Sequence, residues 1–207
     1  MLEPVTVLFT FGLFLTYFID AQKYRLQRST GNANILPLLA TITNTTLWLK
    51  YALLVKNSNL LFINTAGLII ATLCLINFHS LSPFKAKVEN QIIYMLFINC
   101  TILTWVNYFY NENTISILGS INAIVGILTS AAPLSTAAQI IKTKSSNGLL
   151  SLPLTVMSLI VCFLWTAVGI SLNDHYITIP NLAGSILAIF QFALYFLYSQ
   201  STSHSKA

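Results

Sequence analysis

Two primary amides, Asn64 and Asn181, lie inside otherwise apolar sequence and stand 117 positions apart. An amide carries two donors and a carbonyl acceptor, a set that suits the vicinal hydroxyls of a neutral sugar. It also suits a bond to a neighbouring helix, the common use of a polar side chain inside a membrane bundle. What favours a ligand is the pairing. A tryptophan precedes each asparagine by sixteen positions, Trp48 and Trp165, and a Gly-x-Ile follows each, in NTAGLII and NLAGSIL. An indole face can stack on the C–H face of a pyranose. A single Trp near the outer half of a span is more commonly a belt or packing residue.

These pairs belong to a longer repeat. QRSTGNANILPL reappears as TKSSNGLLSLPL, matching Ser29 with Ser145 and Pro37 with Pro153 at an offset of 116; one inserted residue before the tryptophan makes it 117 thereafter. Repetition at a fixed offset decides the architecture ahead of any single motif. With 56% hydrophobic and 7% charged residues in 207, and a mean hydropathy of +0.75, the chain lacks the charge to cover a soluble globule and belongs in a membrane. The apolar windows predict seven spanning helices, at 4–22, 35–54, 59–78, 91–110, 115–138, 149–171 and 176–198. Helices 1 to 3 correspond to 5 to 7. The predicted fold is therefore all-α and integral to the membrane: two parallel three-helix repeats joined by an inversion helix. The domain boundaries read as 1–80 for the first repeat, 81–112 for the linking helix, 113–199 for the second repeat and 200–207 for a polar tail. Two triple-helix units in the same orientation need an odd number of spans between them, and parallel repeats are a transporter architecture with substrate near the midplane.

The net charge of +5 does not indicate nucleic acid, because the basic residues are sorted by loop. Lys23, Arg25, Arg28, Lys85, Lys87, Lys142, Lys144 and Lys206 fall on one side, Lys50 and Lys56 on the other. The positive-inside bias places the amino terminus outside and the carboxyl terminus in the cytosol. The MLEPV start carries Glu3 in place of a basic region, so the first window reads as a helix and not as a leader. Cys74, Cys100 and Cys162 read as small packing residues.

The order three helices, one helix, three helices, together with APLSTAAQIIKTKSSNGLLSLPL, WTAVG, DHYITIPN and NLAGSILAIFQFALYFLY, resembles the SWEET (MtN3/saliva) sugar transporter family, its animal members especially. The likeness covers nearly the whole chain and is looser in the first repeat. It implies uncoupled, bidirectional passage of a mono- or disaccharide by alternating access. It implies sugar contact by Asn64, Asn181 and Trp165, with Trp48 at the symmetric position, where bulk narrows the pocket toward a monosaccharide such as glucose. Tyr51 and Asp174 match an outer gate pair.

Pro37, Pro133 and Pro153 match three of the family's four inner prolines; a proline inside a helix removes one backbone bond and permits a bend. The fourth position is Tyr17 here. Gln191 matches a glutamine near the inner gate, and read alone is equally a plain interhelical hydrogen bond. The resemblance further implies homo-oligomers, trimers among them, and the plasma membrane, with the Golgi or another internal membrane as the alternative.

The expected partners are a small sugar and the lipid bilayer. No phosphate loop, nucleophile set or metal spacing is present in the sequence, so neither a cofactor nor enzymatic activity is expected. A coupled pump needs an ionisable group in its pathway. Asp20 comes nearest and reads as an edge carboxylate paired with Lys23 or Arg25. Two rivals remain: a PQ-loop-type transporter of another metabolite such as an amino acid, which calls for a charged partner in the cavity, and a seven-helix signalling receptor, which has no use for the repeat.

Overall fold

The structure is a computed structural model that describes residues 2–109, 111, 113–131, 134–144 and 152–199; at 134–136, 139, 152–154 and 199 the backbone alone is described. It contains eight helices among these residues: α1 (Leu2–Gln27), α2 (Leu36–Val55), α3 (Ser58–Leu81), α4 (Lys85–Tyr108), α5 (Thr114–Ala131), α6 (Leu134–Thr143), α7 (Leu152–Ser171) and α8 (His175–Ser199). No strand occurs among the described residues. Six of the helices are long and apolar enough to cross a membrane, and Thr155–Ser171 is a shorter apolar helix. The protein is a multi-pass integral membrane protein with the expected 3+1+3 order.

Two helices, α1 and α4, run past the bounds expected from the sequence. The fifth span, expected over 115–138, is described as α5 up to Ala131 and as α6 from Leu134; 132 and 133, with Pro133, lie outside the described residues. Helix α1 continues to Gln27 and α4 begins at Lys85. Charge-free windows miss these turns because Lys, Arg, Glu and Gln are good helix formers outside the hydrocarbon.

The chain forms two compact units, one from Glu3 to Val125 and the other from Gly126 onward. In the first, Ile35, Leu39, Ile42, Ala71, Leu75, Phe78, Val88 and Met95 make one buried cluster that joins α2, α3 and α4. Tyr24 of α1 meets Phe78 edge to face at 5.6 Å. Lipid is as apolar as leucine, so close packing and interhelical bonds hold such helices together more than exclusion from solvent does. Asn99 Nδ2 of α4 accordingly donates to Thr43 Oγ1 of α2 at 3.2 Å. Both Asn44 and Asn99, which carry glycosylation-like triplets, lie within these helices.

The repeat is visible in the backbone. Among the described residues the four non-glycine positions with positive φ are Arg28 (51°), Lys144 (52°), Lys56 (55°) and Asn173 (55°). They pair at the offsets of 116 and 117 found in the sequence. Lys56 and Asn173 end α2 and α7 in the left-handed conformation that commonly closes a helix. The next residue's N–H then reaches back across the turn: Asn57 to the Ala52 carbonyl at 3.1 Å, Asp174 to the Gly169 carbonyl at 2.8 Å.

Small residues set the spacing within each unit. A Cβ on Gly67 would stand 2.5 Å from the ring of Phe14, and one on Gly184 would stand 2.8 Å from Cys162 Sγ and 3.1 Å from Ser130 Oγ. Gly67 and Gly184 are repeat partners, and so are Phe14 and Ser130. Each repeat thus brings its first helix against its third at the same position.

Candidate functional site

The two amides follow from their helix starts. In α3, Asn57 is the N-cap, its side chain accepting the Leu60 N–H at 2.9 Å. In α8, Asp174 Oδ1 accepts the N–H groups of Tyr176 at 2.9 Å and Ile177 at 3.2 Å. Short side-chain acceptors here satisfy donors that the first turn leaves bare. Asn57 and Asp174 are 117 positions apart, so each cap fixes a helix that presents its asparagine seven residues later.

Asn64 is buried in α3 and donates one amide hydrogen to the Leu60 carbonyl at 2.8 Å. Asn181 is half-buried in α8 and donates to the Ile177 carbonyl at 2.8 Å. Each bond runs to the residue four before it, which fixes the amide plane and leaves one N–H and the carbonyl oxygen for another partner. Both side chains therefore hold the same posture in their separate units.

Trp48 and Trp165 are both buried, at 8% and 7% exposure. Trp48 packs edge to face on Tyr51, centroids 5.4 Å apart, and Tyr51 is buried. Neither tryptophan has the exposure of a lipid-facing belt residue. Of the expected outer gate pair, Tyr51 lies on α2 in the first unit and Asp174 caps α8 in the second.

At the opposite end of the first unit, Thr41 Oγ1 donates to the Pro37 carbonyl at 3.0 Å. Its single hydrogen is thereby used, so the Tyr17 hydroxyl is the donor in its 2.7 Å bond to Thr41 Oγ1. Tyr17, Pro37, Asp20, Tyr24, Asn34 and Cys74 line a cavity of about 140 Å³. Pro37 falls in the first turn of α2, where its missing N–H leaves no gap, so it starts that helix and does not bend it. Pro153 occupies the matching place in α7, with its side chain outside the described residues. Pro133 lies outside them altogether. Gln191 is buried in α8.

One expectation is corrected. Among the described residues Asp20 forms no ion pair; the one acid–base contact there is the hydrogen bond between His79 Nε2 and Glu89 Oε1 at 3.0 Å. Arg25 turns instead to Asn77: with the Asn77 amide assigned in the orientation that satisfies both neighbours, its oxygen accepts from Nε at 2.8 Å and its nitrogen donates to the Ala21 carbonyl at 3.2 Å.

Several residues escaped the sequence reading. Thr41 carries no motif of its own, and only the hydroxyl it offers to Tyr17 reveals its part. Pro180 stands inside α8 immediately before Asn181 and removes the helical bond to the carbonyl of Tyr176. The cap role shared by Asn57 and Asp174 was signalled by their offset.

Comparison with known proteins shows what the chain is similar to. The model of the family described as "sugar efflux transporter for intercellular exchange" matches residues 1–86 and 116–203. The sugar transporter SWEET1 of Rattus norvegicus is 33% identical over 202 residues, spanning 95% of this chain and 90% of the relative. The protein of the same name from Homo sapiens is 31% identical over 199 residues, spanning 94% and 88%. A solved eukaryotic SWEET transporter superimposes with a TM-score of 0.86 at 20% identity, over 95% of this chain and 94% of that one.

Proposed function

The chain belongs to the SWEET sugar transporter family, a family of transport proteins and not of enzymes, and from that premise we propose that it is a bidirectional uniporter for a monosaccharide such as glucose. In this reading one sugar is contacted by the amides of Asn64 and Asn181 and by the indoles of Trp48 and Trp165. The two triple-helix repeats, 1–80 and 113–199, alternate access around it, with 81–112 as the link between them. Tyr51 and Asp174 close the outer mouth. At the inner mouth Gln191, Pro37, Pro133 and Pro153 form the gate, with its hinge motion at the starts of α2 and α7 and Tyr17 in the fourth place.

The observation that carries the reading is the shared posture of the amides. Two asparagines at repeat-related positions each spend one hydrogen on the carbonyl four residues back, at 2.8 Å in both, and keep the same donor and acceptor for a ligand. Each amide–hydroxyl bond contributes about 1 kcal/mol net. Binding is accordingly weak, which suits a carrier that must release what it binds.

We further propose that the amino terminus faces outward and the carboxyl terminus the cytosol, that the protein resides in the plasma membrane or an internal membrane such as the Golgi, and that it assembles as a homo-oligomer, a trimer by family likeness.

Radiolabelled glucose uptake into proteoliposomes tests the proposal. Uniport requires uptake that follows the sugar gradient and is indifferent to an imposed proton gradient. Correctly inserted protein with no glucose uptake would overturn the monosaccharide assignment, and accumulation driven by protons would overturn uniport.

A further inference from the structure

A second cavity lies in the first unit, away from the four proposed sugar contacts. It is a groove of about 380 Å³ between α1 and α3, lined by Phe18, Gln22, Arg25, Leu73, Ile76 and Asn77 among others. Its composition is graded along the helices. Phe18, Leu73 and Ile76 form the deep part and are exposed at 37%, 52% and 62%; Gln22, Arg25 and Asn77 form the end. Helix α1 has 26 residues, about 39 Å at 1.5 Å per residue, so it outruns the ~30 Å hydrocarbon core. Its last turn, which holds Arg25, reaches the headgroup layer.

The guanidinium at this mouth is held in place. With the Asn77 amide assigned in the orientation that satisfies both neighbours, it accepts from Arg25 Nε and donates to the Ala21 carbonyl of α1, which leaves the four donors of the terminal nitrogens for another partner. Among the described residues no carboxylate pairs with Arg25. Asp20 lines the neighbouring cavity with Tyr17, and Glu89 is bound by His79. An oriented arginine fork without an acidic partner fits a phosphate bidentately.

We infer that the groove between α1 and α3 is a binding site for one anionic phospholipid, its phosphate on Arg25 and Gln22 and an acyl chain along Phe18, Leu73 and Ile76. A second copy of the chain fits the mouth poorly. It would bring the same basic end, with Lys23, Arg25, Arg28, Lys85 and Lys87, against its like. The cytoplasmic leaflet supplies the opposite charge.

The test is native mass spectrometry of the intact protein released from bilayers of equal phosphatidylserine and phosphatidylcholine. The expected result is one retained phosphatidylserine, favoured over phosphatidylcholine by about tenfold: the two share the phosphodiester, and only phosphatidylserine adds a carboxylate for a further charge-assisted contact. Arg25→Gln should remove that preference, and Asn77→Ala should reduce it. Arg28→Gln, which changes the net charge equally one turn away, should leave it in place. The variants' melting temperatures in phosphatidylcholine alone should match that of the unmodified protein. The inference is overturned if Arg25→Gln retains phosphatidylserine unchanged, or if Arg28→Gln loses it as fully, which would mark diffuse attraction. It is likewise overturned if soluble glycerol phosphate displaces the lipid at equal concentration, because the site would then read phosphate without the chain.

Discussion

Lys56 and Asn173 adopt the same left-handed backbone conformation, φ 55° in each, at positions 117 apart. A lysine and an asparagine share no side-chain chemistry that would require this. The common cause is the fold of the repeat, which ends α2 and α7 with one turn geometry and starts α3 and α8 from the residue that follows.

The conformation is strained for lysine, tolerated by asparagine and natural for glycine. Lys56→Gly is therefore expected to stabilise the protein by about 1 kcal/mol, and Asn173→Gly by less. Thermal unfolding in detergent measures both, and equal gains would contradict the argument.

Gly169, where α7 meets α8, makes a tighter approach than Gly67, where α3 meets α1. An added Cβ would lie 2.5 Å from Thr178 Oγ1 and 2.7 Å from its backbone nitrogen, whereas at Gly67 it would meet only the far end of the Phe14 ring. A ring can swing aside and a backbone cannot. Gly169→Ala is expected to cost about 3 kcal/mol and Gly67→Ala about 1 kcal/mol, read from melting temperatures. The Gly67→Ala cost should shrink when Phe14 is also changed to Ala.

Asp174 has two proposed duties that a pair of variants separates. Its carboxylate caps α8 through two backbone N–H groups, a role that asparagine also fills and alanine does not. Asp174→Ala should lose about 1 kcal/mol of stability and Asp174→Asn much less. If the charge also serves the outer gate, Asp174→Asn slows sugar uptake at undiminished stability; normal uptake would leave Asp174 as a cap alone.

Tyr17 occupies a place where the family likeness leads one to expect proline, and its hydroxyl ties α1 to α2 through Thr41. Tyr17→Phe should cost about 1 kcal/mol. Combined with Thr41→Val it should cost no more than the sum of the two singles, and less if the bond is the shared loss.

Much of this molecule could be read before its structure. The spans follow from hydropathy, and the repeat from matching Trp, Asn, Gly and Pro at one offset. What escaped reading has physical reasons. The last turn of α1 and the first of α4 are charged yet helical, so a rule based on missing charge stops too early. Arg25 was expected beside Asp20 in sequence, but helix geometry sets it toward Asn77 on α3. Of the site, the asparagines and tryptophans were legible because they recur. Thr41 and Pro180 were not, since neither has a repeat partner of its own kind.

The most direct test of the account is radiolabelled glucose uptake by proteoliposomes carrying Asn64→Ala or Asn181→Ala, normalised to correctly inserted protein. If the paired amides bind the sugar, each substitution lowers uptake by about tenfold or more, consistent with lost hydrogen bonds to a neutral ligand, while insertion and melting temperature hold. Uptake undiminished in both variants would mean that the amides serve only their own helices, and the proposed sugar site would be wrong.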